Sequence, residues 1–153
     1  MSLRVGVDAR ELQGRPTGTG RYLHSLLRAW IEDGEDQFVA YVQGEPDAAL
    51  PASGVVVRQV GRPGSGLRWQ QLDLPRAAAG DRLDVFFSPA YTCPLALAVP
   101  RVTAVHDLSF FSLPAEFGAL DGLRRRLLVG ASVAASARVL ACSRFTRDEI
   151  AAC

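Results

Sequence analysis

The sequence predicts an α/β protein built on a doubly wound, mostly parallel, Rossmann-like sheet. Three observations carry this expectation. Six short apolar runs, rich in β-branched or aromatic residues, recur along the 153 residues. Most of them are continuous rather than alternating, as strands covered on both faces are. Helical patterns separate several of the runs, which implies right-handed crossovers between parallel strands.

Leu3 to Val7 reads as the first strand. It leads into "GRPTGTGRY", residues 14–22, a glycine-rich loop. Beyond it Tyr22, Leu23, Leu26, Leu27, Trp30 and Ile31 fall at helical spacing and predict a helix over Arg21 to Ile31. Strands follow at Phe38 to Val42 and Val55 to Val60, while Gly44 to Gly54 and Gly61 to Gly66 read as loops from their Gly and Pro content. Leu67 to Ala79 is a weaker helical pattern, interrupted by Pro75. Strands are predicted again at Asp84 to Phe87, Arg101 to Val105 and Arg138 to Ala141, with an apolar helical stripe of Leu120, Leu123, Leu127, Leu128, Ala131 and Ala134 before the last. Thr146 and Glu149 have capping-box spacing, and Phe145 and Ile150 occupy the two positions of a hydrophobic staple, so a helix is expected from about Arg147. A doubly marked start with so little chain left predicts that residues 1–153 are one truncated domain of a longer protein; a short terminal helix is the alternative.

With 48% hydrophobic and 22% charged residues the composition is that of one soluble globular domain. A net charge of +1 speaks against a nucleic-acid arm or a polybasic membrane anchor. Arg124, Arg125 and Arg126 point in different directions on a helix and read as a solvated face. All 17 basic residues are arginines. Without lysine, a Walker-type phosphate loop and Schiff-base chemistry drop out where this chain must supply the group, while fork-like contacts to phosphate or carboxylate remain. Cys93, Cys142 and Cys153 contain no Cys-x-x-Cys pair, so neither a disulfide framework nor a zinc site is expected and a reducing compartment fits. No apolar run approaches the roughly 20 residues of a membrane span. The first strand starts where a signal peptide would lie, which predicts a cytoplasmic protein, with peripheral attachment to the inner membrane face left open.

In open parallel sheets, ligands bind outside the carboxyl ends of the strands, where helix N-termini direct their partial positive charge. The residues closing the predicted strands are Asp8 after the first, Ser88 and Pro89 after the fourth, His106 and Asp107 after the fifth, and Ser143 after the sixth. The backbone N–H groups near Gly18, Thr19 and Gly20 lie at the same edge and suit an anion such as phosphate; a plain turn is the alternative. A dinucleotide fingerprint fits less well, because the segment lacks the third glycine and the second strand ends in Gln43 and Gly44 without an acidic ribose partner. His106 is a candidate acid, base or hydrogen-bond donor near neutral pH, with a structural role as its alternative. His24 reads as a helix-surface residue. Tyr91, in "SPAYTCPL", is placed either to contact a sugar face or to cover the loop.

Together, "RVGVDARELQGRPTGTGRYLHSLLRAW", "DVFFSPAYTCPL" and "RVTAVHDLSFFSLPAEF", followed by "ARVLACSRFTRDEI", resemble the N-terminal domain of glycosyltransferase family 4. That resemblance spans nearly the whole chain. It implies one half of a GT-B arrangement and a retaining, hexosyltransferase-type enzyme that uses a nucleotide-diphosphate sugar. The N-terminal domain of such enzymes mainly binds the acceptor, a sugar or glycolipid, while a C-terminal domain, absent here, binds the donor and carries a Glu-x7-Glu signature. The fragment alone is then expected to be inactive. By the same resemblance Gly18, Thr19 and Gly20 lie against the donor phosphates and His106 stands near the reacting sugar, as the candidate catalytic residue. Arg10, Arg21, Tyr91 and Asp107 become acceptor or supporting residues, alongside Asp8, Ser88 and Ser143. No Asp-x-Asp pair occurs, so no metal and no cofactor beyond the sugar donor are expected. The alternatives are a nicotinamide- or nucleotide-binding oxidoreductase domain, suggested by the βα alternation and Gly-x-Gly, and a non-catalytic binding module.

Overall fold

A computed structural model describes residues 2–15, 17–45, 50, 53–62, 64–108 and 119–152. Among them, β1 (Arg4–Asp8), β2 (Gln37–Gln43), β3 (Val55–Val60), β4 (Val85–Ser88), β5 (Arg101–Val105) and β6 (Arg138–Ala141) form one sheet in the order β3-β2-β1-β4-β5-β6. Every neighbouring pair is parallel. The helices are α1 (Gly18–Asp33), α2 (Gly66–Arg68), α3 (Leu74–Ala78), α4 (Ala119–Ala135) and α5 (Arg144–Ala152). A π-helical turn, Trp69–Asp73, joins α2 to α3. The expected fold class is the observed one, and the sheet is wholly rather than mostly parallel.

The period of two along each strand divides the core between two faces. Val5, Val7, Phe38, Ala40, Val42 and Phe87 share one side with Leu23 and Leu27 of α1. Val39, Tyr41, Val60 and Phe86 share the other with Trp69, Leu74 and Leu97. A smaller cluster of Val105, Leu108 and Val129 seats α4. Leu23 and Leu27 are one helical turn apart and fully buried, and each contributes about 1.5–3 kcal/mol. The edge strands β3 and β6 depart from the expectation of continuous burial, because an edge has a covered neighbour on one side only.

Several boundaries differ from those expected, each for a local reason. α1 begins at Gly18, not Arg21, because Thr17 caps it: Thr17 Oγ1 accepts from the Gly20 amide at 2.9 Å. Gly18, Thr19 and Gly20, read as part of the loop, are the helix's first turn. α1 ends at Gly34, whose φ of 72° is the left-handed stop that glycine favours. α5 begins at Arg144, not near Arg147, since Ser143 Oγ accepts from the Thr146 amide at 3.0 Å and takes the capping role assigned to Thr146. Phe145 is 72% exposed, so the expected staple with Ile150 does not form. The "SFFSLPAEF" part of the resemblance, Cys153 and much of 44–54 lie outside the described residues.

Gly20 is needed for close approach. A Cβ on it would collide with the carbonyl oxygen of Glu11, backbone that has little room to give. Gly20→Ala is expected to cost about 1–3 kcal/mol by overpacking, a fall of roughly 2–12 °C in melting temperature for a chain this long. An unchanged melting temperature would mean that α1 slides to accommodate the methyl group.

Candidate active-site cleft

Parallel strands bring their carboxyl ends to one edge, and the strand order changes direction between β1 and β4, leaving a crevice there. A cleft of about 420 Å³ opens at this point. Asp8, Arg10 and Glu11 line it from the β1 side, Tyr91 and Thr92 from the segment after β4, Asp107 from the end of β5, and Arg125 from α4.

The floor is an ion pair. Asp8 is 4% exposed and its two oxygens take Arg10 Nε at 2.9 Å and Nη2 at 2.7 Å, a bidentate fork. Arg10 also donates Nη1 to the Gly66 carbonyl at 2.9 Å and lies 4.5 Å above the Trp69 ring. Burial opposes the guanidinium charge, but the Asp8 carboxylate outweighs it and raises the Arg10 pKa above its ordinary value. Asp8 is therefore committed to holding Arg10, whose side chain keeps some exposure toward the cleft.

The wall is built around His106. Its Nε2 lies 2.7 Å from the Pro89 carbonyl oxygen. A carbonyl can only accept, so Nε2 carries the proton and Nδ1 is the acceptor of the neutral ring. Tyr22 and Tyr91 stand edge-on to the imidazole, with centroids 5.2 Å and 5.8 Å away. Tyr22 belongs to the first turns of α1, so the glycine-rich helix start and the β5 tip are neighbours. Tyr91 has φ 58°, a left-handed conformation that is costly for a bulky residue. It is held there by its amide on the Ala104 carbonyl at 2.8 Å and its hydroxyl on Asp107 Oδ2 at 2.6 Å. Burial, and then the Asp107 carboxylate, raise the Tyr91 pKa; burial also raises that of Tyr22. Both phenols stay neutral at physiological pH. The His106 carbonyl accepts from Cys142 Sγ at 2.7 Å and from the buried Thr146 Oγ1 at 3.1 Å, which ties β5 to the start of α5.

Asp8, Arg10, Tyr91 and Asp107 thus share one cleft, and His106 adjoins it through Tyr91. Gly18, Thr19 and Gly20 sit across the Tyr22 contact. The Gly20 amide is used by the cap, whereas those of Gly18 and Thr19 have no acceptor within the helix. Arg21 is exposed and lines a neighbouring depression with His24. Ser88 is fully buried at the β4 tip and its Oγ has no partner among the described residues. Ser143 caps α5. Among the described residues, no three His, Cys, Asp or Glu side chains are grouped as metal ligands would be, and no helix is long and apolar enough to cross a membrane. Sequence reasoning did not single out Gln70 or Thr92, and it read Tyr22 only as part of a helical stripe and Thr146 only as a helix cap; the importance of all four comes from partners distant in sequence.

A 60-residue stretch, 39% of this chain, is 38% identical to part of an exo-beta-D-glucosaminidase from Streptomyces avermitilis. The match spans 7% of that protein, a local likeness. The pattern of Glycosyltransferase Family 4 extends over residues 16–153, taking in α1, the segment after β4, the His106 tip and α5, and the chain belongs to that family.

Proposed function

We propose that this chain is the acceptor-binding, N-terminal half of a retaining, hexosyltransferase-type enzyme that uses a nucleotide-diphosphate sugar, with the GT-B arrangement completed by a donor-binding domain of the same protein. The observation that carries this reading is the cleft at the β1/β4 crevice, which His106 adjoins through the Tyr91 ring, with the glycine-rich start of α1 beyond the Tyr22 contact. As the bond from sugar to diphosphate breaks, negative charge grows on the leaving nucleotide. The first-turn amides of Gly18 and Thr19 are fixed dipoles suited to that charge, and each such donor typically contributes roughly 3 kcal/mol to lowering a barrier. Arg10, held rigid by Asp8, and Asp107 supply the donor and acceptor that a polyhydroxylated acceptor needs, and Tyr91 offers an aromatic edge. His106 faces the reacting sugar with one nitrogen already committed to Pro89. The sugar donor is a substrate, and the proposal needs no metal or other cofactor.

Membership in a glycosyltransferase family weighs against the oxidoreductase alternative. Calorimetric titration of residues 1–153 is expected to reveal no tight binding of NAD and no turnover of nucleotide sugars, while the chain joined to its donor domain transfers sugar to an acceptor. Tight NAD binding by these 153 residues would overturn the reading.

A further inference from the structure

Gln70 and Gln71 are adjacent, and on a regular α-helix adjacent side chains point about 100° apart. Both nevertheless reach the segment after β4, because they lie in the wider π-helical turn Trp69–Asp73. Gln71 donates to the Cys93 carbonyl at 2.9 Å and accepts from the Leu95 amide at 3.0 Å. Gln70 is only 3% exposed. Its Nε2 donates to Asp8 Oδ2 at 3.1 Å and to the Thr92 carbonyl at 3.0 Å. Its Oε1 accepts from Thr92 Oγ1 at 2.9 Å and from Gln71 Nε2 at 3.3 Å. Both donors and both acceptor positions of the amide are filled.

A buried amide with every position taken tolerates one arrangement of its partners. Those partners are the floor of the cleft, through Asp8, and the residue after Tyr91. Tyr91 is the left-handed residue whose ring abuts His106, and Pro89, two positions earlier, holds the His106 proton. We infer that Gln70 is a positioning residue that sets the segment 89–92 against the Asp8–Arg10 pair and so fixes Tyr91 and His106 for the acceptor. The inference rests on the acceptor-site reading above, and it assigns a role to a residue that does not itself line the cleft.

The test is Gln70→Met, which keeps the volume and removes both donors, with Thr92→Val as a milder second variant that removes only the hydroxyl. The chain has two histidines, so side-chain NMR resolves His106 against His24 as an internal reference. Both variants are expected to displace the His106 ring signals, to speed loss of its Nε2 proton to solvent, and to leave His24 unmoved. In the complete enzyme, Gln70→Met is expected to raise the acceptor KM about tenfold, the scale of one buried hydrogen bond, without changing the donor KM. An unmoved His106 signal in folded Gln70→Met overturns the inference; should that variant fail to fold, an unmoved signal in Thr92→Val does so. Equal changes in acceptor and donor KM also overturn it. Failure of the acceptor-site reading is seen separately, as tight binding of NAD by residues 1–153.

Discussion

Asp8→Ala is expected to destabilise the fold by about 3 kcal/mol, the lower part of the range for breaking a buried ion pair. For a chain of this length that is a fall of roughly 6–12 °C in melting temperature. The loss comes less from the missing attraction than from what remains. Arg10 keeps its charge over the Trp69 ring with the Gly66 carbonyl as its remaining hydrogen-bond partner among the described residues and Glu11 as the remaining opposite charge, and Gln70 loses one acceptor. The side chain of Arg10 is 24% exposed, so water reaches it and holds the cost to the lower end. Adding Arg10→Met removes the stranded charge. The double variant is therefore expected to melt higher than Asp8→Ala alone. Thermal denaturation of the two single variants and the double variant checks this, and strictly additive losses would show that the pair is not coupled.

His106→Ala in the complete enzyme is expected to lower the rate of sugar transfer by about a hundredfold or more, the range for losing a positioned acid, base or electrostatic donor. The folded state suffers less. The ring is partly exposed, and its removal leaves the Pro89 carbonyl without its donor at a cost of about 1–3 kcal/mol. Kinetics separate these effects: a loss of transfer that persists well below the variant's melting temperature belongs to the site. An unchanged rate would take His106 out of the mechanism and leave it as a support for the Tyr22 and Tyr91 rings.

The fold was legible because it rests on patterns a few residues long. Continuous runs such as Phe38 to Val42 state that both faces are covered, and Leu23 and Leu27 declare a buried helical stripe. The edge of the sheet that bears the cleft was legible too, since the tips of parallel strands must align and Asp8, Ser88 and His106 were read as tips. Local competition was harder to see. Thr17 and Ser143 outcompeted the expected helix starts because each hydroxyl reaches an amide three residues on, a contest between neighbouring caps that spacing alone does not decide. The clamp between Gln70 and Thr92 was hidden for another reason: its partners are 22 positions apart, and the π-turn that aims Gln70 has no periodic signature. The left-handed Tyr91 was equally invisible, because nothing in "SPAYTCPL" marks a bulky residue for a conformation that glycine usually fills.

The place of β1 in the middle of the sheet bears on how the molecule is assembled. Its N-terminal end is joined to the start of β4 across 80 positions, through the Arg4 amide and Asp84. Closing so long a span costs entropy before any contact repays it. A chain that has formed only α1 with β1 and β2 holds the arginine fork of Arg10 yet has no opposite bank, and whatever this protein recognises must wait until the central strand has gained its second neighbour.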